Sequence, residues 1–195
     1  MEYQKYSSRS GSPELGTIPQ KYRLLAKTPA VDSAIEIMSA EEQTLINATV
    51  EVRDGQTIMK FTKLLKEEGQ IEIKVGVNNM LWAYGTSNTL SYHAQRSPFT
   101  LDLSSDSVVN TAAPSFESSI APSSLSNGPS REPSASFHDC TQNFCEKTLS
   151  NDYLLRYMLN VDDDTITMEV IYDDEAWVAV AFSEDGDMPG SDAVM

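Results

Sequence analysis

Residues 104–136 divide the chain into two β-patterned blocks, and neither block carries enough strand to close a core by itself. About half of that stretch is Ser or Pro, and aromatic residues are almost absent. It can bury too little apolar area to offset the entropy of ordering its backbone, so it is expected to be a flexible linker. Before it, Leu45, Asn47, Thr49, Glu51 and Arg53 alternate with Ile46, Ala48, Val50 and Val52. Asp54-Gly55 then gives a hairpin turn into Thr57 to Phe61. Lys63 to Glu68 is expected to make one helical turn. Ile71, Ile73, Val75 and Val77 read as a half-buried strand, Asn78-Asn79 as a turn, and Met80 to Tyr84 as a short apolar strand ending at Gly85. After the linker, Tyr153, Leu155, Tyr157 and Leu159 alternate with Leu154, Arg156 and Met158. A turn at Asp162 to Asp164 leads to Ile166, Met168, Val170 and Tyr172, which alternate with Thr165, Thr167, Glu169 and Ile171. Asp173 to Glu175 is a second turn, and Ala176 to Phe182, almost wholly apolar, reads as a buried central strand.

Short strands, turn-rich joints and little helix predict an all-β chain, an antiparallel immunoglobulin-like β-sandwich. The expected division is a flexible segment at 1–28 with a short strand around Lys21 to Leu25, a first half-domain at 29–103, the linker at 104–136, and a second half-domain at 137–195. A length of 195 residues leaves room for one ordinary domain or two small ones.

Charge and composition narrow the chemistry. Fourteen Lys and Arg stand against 29 Asp and Glu, a net charge of −15. That excludes a binder of nucleic-acid backbone and argues against docking on anionic lipid, since both need a cationic face. No apolar run reaches the roughly 20 residues of a membrane span, and Met1 to Ser10 lacks the apolar core of a secretory signal. Cys140 and Cys145 lack histidines at zinc-ligand spacing; they read equally as a local disulfide or as free thiols. His138 is expected to be exposed. The acidic turns lack the glycine-centred loop of a calcium site and read as solvated hairpin tips. Asn47-Ala48-Thr49 is a glycosylation sequon, of consequence only in a secreted parent protein. With no Ser-His-Asp pattern, no phosphate-binding glycine loop and no convincing carboxylate pair, the chain does not read as an enzyme.

Several segments are similar to a known family. Asn151-Asp152-Tyr153-Leu154-Leu155-Arg156-Tyr157, the run from Ile166 to Val170, and Trp177 to Ser183 followed by Met188-Pro189-Gly190-Ser191-Asp192-Ala193-Val194 resemble the first half of a DOMON domain. This is the sandwich found beside dopamine β-monooxygenase, in cytochrome b561-linked proteins and in the cytochrome part of cellobiose dehydrogenase. Gly55-Gln56-Thr57 with Phe61 to Leu65, Asn79 to Gly85, and Leu90-Ser91-Tyr92-His93 resemble the second half, with Lys63 where the family often has Arg. The resemblance covers roughly 110 residues, in reversed order. Either the chain is a slice of a tandem array, or its halves close on each other as a circular permutant, which the linker is long enough to allow.

The resemblance implies a ligand. Some members bind haem b between a Met after the tryptophan strand and a His after the closing strand, positions that match Met188 and His93 here. Trp82, Tyr84, Tyr92, Trp177 and Phe182 would wall the slot, although Trp82 and Trp177 also read as core anchors of the two sheets. Apart from the resemblance, a Met in such a loop is usually a gap-filler and a His beside Tyr92 a solvated loop residue. The implied function is a non-catalytic module carrying haem b for electron transfer, with a membrane cytochrome b561-type protein or a secreted oxidoreductase as redox partner. The alternatives are a haem-free module recognising carbohydrate or protein, and a fragment of a tandem-DOMON protein. The implied location is extracellular, or membrane-associated through a parent protein.

Overall fold

The fold is that of a computed structural model, which describes residues 18–26, 34–104, 139–141 (backbone alone) and 144–195. Nearly all of the expected linker, the first seventeen residues and His138 lie outside the described residues. Twelve strands follow in chain order: β1 Lys21–Leu24, β2 Ile35–Ile37, β3 Ile46–Arg53, β4 Gln56–Leu64, β5 Val77–Tyr84, β6 Gln95–Asp102, β7 Asp139–Thr141, β8 Phe144–Ser150, β9 Tyr153–Asn160, β10 Thr165–Tyr172, β11 Val178–Ser183 and β12 Asp192–Val194. They form two antiparallel six-stranded sheets, in the orders β2-β1-β12-β11-β5-β6 and β3-β4-β10-β9-β8-β7. The all-β sandwich read from the sequence is thus the architecture found, and each sheet takes strands from both blocks. In the first sheet β5 pairs with β11 from Val178↔Tyr84 to Ser183↔Asn79. In the second, β4 pairs with β10 from Thr165↔Leu64 to Tyr172↔Thr57.

Side-chain alternation decides what lies between the sheets. Met59 and Phe61 of β4, Met80, Trp82 and Tyr84 of β5, Met168 and Val170 of β10, and Val178, Val180 and Phe182 of β11 form one buried cluster. Aromatic rings cross it: Trp82 lies 5.1 Å from Tyr153, and Tyr84 lies 4.2 Å from Tyr172. The Tyr153 hydroxyl donates to the Ala179 carbonyl at 2.8 Å, which ties the second sheet to the first. Burial pushes its phenol far above the ordinary value.

Local expectations fail where tertiary pairing overrides them. The helical turn expected at Lys63 to Glu68 does not form, because β10 extends the β4 ladder through Leu64. Ile71 to Val75 is not a strand. Its backbone groups are satisfied one by one instead: Ile71 N–H by the Asp192 carboxylate at 2.6 Å, Ile73 N–H by the Leu65 carbonyl at 2.8 Å, and Lys74 N–H by Asn78 Oδ1 at 2.8 Å. Asn78-Asn79 is no turn but lies inside β5, where the Asn78 amide also donates to the Lys74 and Gly76 carbonyls. Elsewhere the turn chemistry holds. Asp54 and Gly55 both have positive φ, 54° and 80°, which suits the tight turn between β3 and β4. Cys145 is disulfide-bonded, and its partner position across the β7–β8 ladder is Cys140.

One polar cluster is sealed at the margin of the intersheet core. Lys21 of β1 and Lys63 of β4 are each 1% exposed. The Lys21 ammonium donates to both Glu67 carboxylate oxygens at 2.7 and 2.9 Å, and the Lys63 ammonium and Thr44 hydroxyl donate to the same carboxylate. Gln70 Oε1 accepts from both lysines, at 3.0 and 3.2 Å. Burial opposes ionisation of Glu67, but the hydrogen bonds from Lys21, Lys63 and Thr44 outweigh it and hold the carboxyl below its ordinary range. Burial, with the Lys63 charge adding to it, pulls the Lys21 ammonium below its ordinary value. Asp192 of β12 is buried beside this cluster; burial raises its carboxyl despite the Ile71 N–H and Arg23.

Candidate functional site

The outer face of the first sheet carries a second apolar cluster, and its shape follows from residue size. Along β11 the large side chains Val178, Val180 and Phe182 point between the sheets, while Ala179 and Ala181 point outward. The ladder aligns Ala179 with Ala83 and then Arg96, and aligns Ala193 with Ala181, Leu81 and Pro98. Residues directly opposite in an antiparallel pair share a face. Four alanines from β5, β11 and β12 therefore make a low, flat floor. Around it stand Leu24, Ile35, Leu90, Trp177 and Met195, and together they enclose a cavity of about 280 Å³.

Two connections overhang this floor from opposite ends of the strands. β5 ends at Tyr84, opposite Val178 where β11 begins, so the 85–94 segment enters from that end. The 184–191 loop leaves β11 at Ser183, about 17 Å further along at 3.4 Å per residue. Tyr92 and His93 come from the first connection and Met188 from the second, and all three line the same cavity. The Met188 loop is a built structure. Ser183 Oγ donates to the Asp187 carbonyl at 2.9 Å and accepts from Gly186 N–H at 2.9 Å, Ser191 Oγ donates to the Asp187 carbonyl at 2.6 Å, and Gly190 N–H donates to the Leu24 carbonyl at 2.8 Å. Met188 is half-buried against the outer cluster, and an Arg96 guanidinium nitrogen contacts its sulfur.

The seven residues singled out from the sequence are not all gathered here. Met188, His93, Tyr92 and Trp177 line the cavity. Trp82 borders it, but its ring belongs to the intersheet core, stacked on Tyr84 and tilted against Tyr153. Phe182 is a correction: as the inward residue of β11 it lies between the sheets, with the Lys63 ammonium 5.8 Å from its ring centre, and does not reach the cavity. Tyr84 is likewise an intersheet residue. Nor do the two tryptophans anchor one sheet each; Trp82 and Trp177 sit at opposite faces of the same sheet.

Trp177 is held by close backbone approach. A Cβ on Gly85 would fall 2.0 Å from the indole Nε1, so only glycine lets the ring lie there. That indole N–H is the one buried side-chain polar atom without a hydrogen-bond partner among the described residues. His93 is half-buried, its ring 4.1 Å from that of Tyr92. Burial first, and the Arg96 charge second, lower its pKa from 6.5, so the imidazole is neutral at pH 7 with a nitrogen lone pair available.

Sequence reasoning missed Arg96 and the alanine floor. The floor had a signal: Ala179 and Ala181 alternate with large residues inside a buried strand. Arg96 had none, because β6 was not read as a strand. Comparison of the chain with protein-family models, with curated proteins and with solved structures finds no match.

Proposed function

We propose that the outer cavity of the first sheet binds haem b, with Met188 and His93 as axial ligands, in a non-catalytic electron-transfer module of the DOMON type. The observation that carries this is the convergence of one thioether and one neutral imidazole, 95 positions apart in sequence, on a single apolar cavity with a flat floor. The donor set fits the group, since a Met/His pair is an established axial combination for haem iron. Bound there, haem would supply a one-electron couple whose potential depends on these ligands and on the dryness of the cavity. The chain's own contributions are separable. The 184–191 loop presents the Met188 sulfur, the 85–94 segment presents the His93 ring, and Leu90, Trp177 and Met195 exclude water. The redox partner would be a membrane cytochrome b561-type protein or a secreted oxidoreductase. The disulfide-bonded Cys145 supports an oxidising compartment, hence an extracellular or membrane-tethered setting.

A second reading is a haem-free recognition module. It is favoured by Tyr92, which is 53% exposed and offers a ring for stacking a sugar. Titration with haem separates the two. The haem reading expects a low-spin Soret band that is replaced by a high-spin spectrum in Met188→Ala and in His93→Ala. A spectrum unaltered in both variants contradicts the ligand assignment, and no uptake of haem with quenching of tryptophan fluorescence by oligosaccharide favours the second reading.

A further inference from the structure

We infer that the cavity takes an amphipathic ligand with a carboxylate at one end, and that Arg96 holds this end at the β6 edge and so sets the ligand's orientation. This rests on the reading of the cavity as a ligand site, and it holds whether or not the ligand carries iron. Among the strands that line the cavity, only β6 contributes a charged side chain. On the β2-β1-β12 side its walls are Ile35, Leu24, Ala193 and Met195, all apolar. On the β6 side they are Arg96, Ser97 and the apolar Pro98, joined by Ser91 and His93 from the preceding connection.

Arg96 lies in the same cross-strand row as Ala179 and Ala83, so it projects from the face that carries the floor. Arg96 is an exposed residue, and its contact with the Met188 sulfur places the guanidinium at the mouth of the cavity. The other charged side chain in the lining, Asp187, sits on the 184–191 loop. On a chain of net charge −15, Arg96 is the one Lys or Arg in the lining, and so the group there to which an anion is drawn. Its planar fork matches a carboxylate with two parallel hydrogen bonds, which an ammonium cannot reproduce.

The test uses the whole chain and two metal-free probes, protoporphyrin IX, which carries two carboxylates, and its dimethyl ester, which carries none. Porphyrin fluorescence is titrated with the wild type, Arg96→Leu and Arg96→Lys. The wild type is expected to bind the diacid, Arg96→Leu to bind it about tenfold or more weakly, and Arg96→Lys to fall between them. The ester is expected to bind wild type and Arg96→Leu alike. Equal diacid affinity in wild type and Arg96→Leu overturns the role of Arg96 while leaving the cavity as a ligand site. Failure of both probes to bind the wild type removes the cavity reading, and this inference with it.

Discussion

Glu67→Ala is expected to destabilise the fold by about 3–5 kcal/mol, because it strips the shared carboxylate from two buried ammonium groups. Lys21 and Lys63 come from different sheets, each 1% exposed, and the Glu67 side chain between them is 5% exposed. Burial of an unpaired charge is far more costly than absence of the pair. Exchanging all three groups for apolar ones, as Glu67→Leu with Lys21→Met and Lys63→Met, is therefore expected to recover most of the loss. Urea denaturation of the three proteins measures it; a loss under about 1 kcal/mol for Glu67→Ala would show that the cluster is solvated. The cluster also sets the acid limb. A carboxyl lowered in the folded state contributes stability that is present above its unfolded value of 4.5 and lost as pH falls through the folded value. Asp192 has the opposite sign. Its carboxyl is raised above 3.8, so its contribution is present in acid and lost as pH rises through the folded value. Glu67→Gln should thus flatten the stability profile below about pH 4.5, the unfolded value of the removed group.

Trp82→Ala is expected to be as damaging, about 3–5 kcal/mol, since it opens a large void where the indole packs on Tyr84 and Tyr153. It also separates core from ligand contact. In protein that remains folded, haem or porphyrin affinity should change little, because the ring faces away from the alanine floor. Trp177→Phe should behave in reverse, with a smaller loss of stability and weaker ligand binding. Denaturation midpoints set beside porphyrin titrations of the two variants distinguish them; a Trp82→Ala protein that stays stable but loses affinity would place that ring at the ligand.

The elements legible in the sequence were those whose pairing partners share their alternation. β3, β4, β9, β10 and β11 all carry long period-two or wholly apolar runs, and the Asp54-Gly55 turn is dictated by its left-handed backbone. What could not be read depends on distant pairing. β12 is three residues long and becomes a strand only because β11 and β1 flank it. β6 contains Pro98 and polar residues, tolerated because it is an edge strand with one neighbour. β2 pairs with β1 alone. Ile71 to Val75 shows the converse failure, an alternation with no partner strand to use it. At the site, the positions of Met188, His93 and Trp177 came from resemblance. Phe182 was misplaced because an all-apolar strand does not reveal which side of it faces the other sheet. Lys63 was read as helical, a reading that its partner Glu67, four positions on, also fits; the second lysine on that carboxylate, Lys21, lies outside any local pattern.

Everything proposed for the cavity requires the leading and trailing blocks to meet over one alanine floor. The most direct measurement is a methyl-resolved NOE spectrum of the intact chain. Cross-peaks from the Met188 ε-methyl to the Arg96 side chain, 92 positions away, and between the Ala83 and Ala179 methyls are expected. A Met188 methyl in contact with nothing beyond residues 183–191, or an Ala83 methyl with no cross-peak to β11, would contradict it.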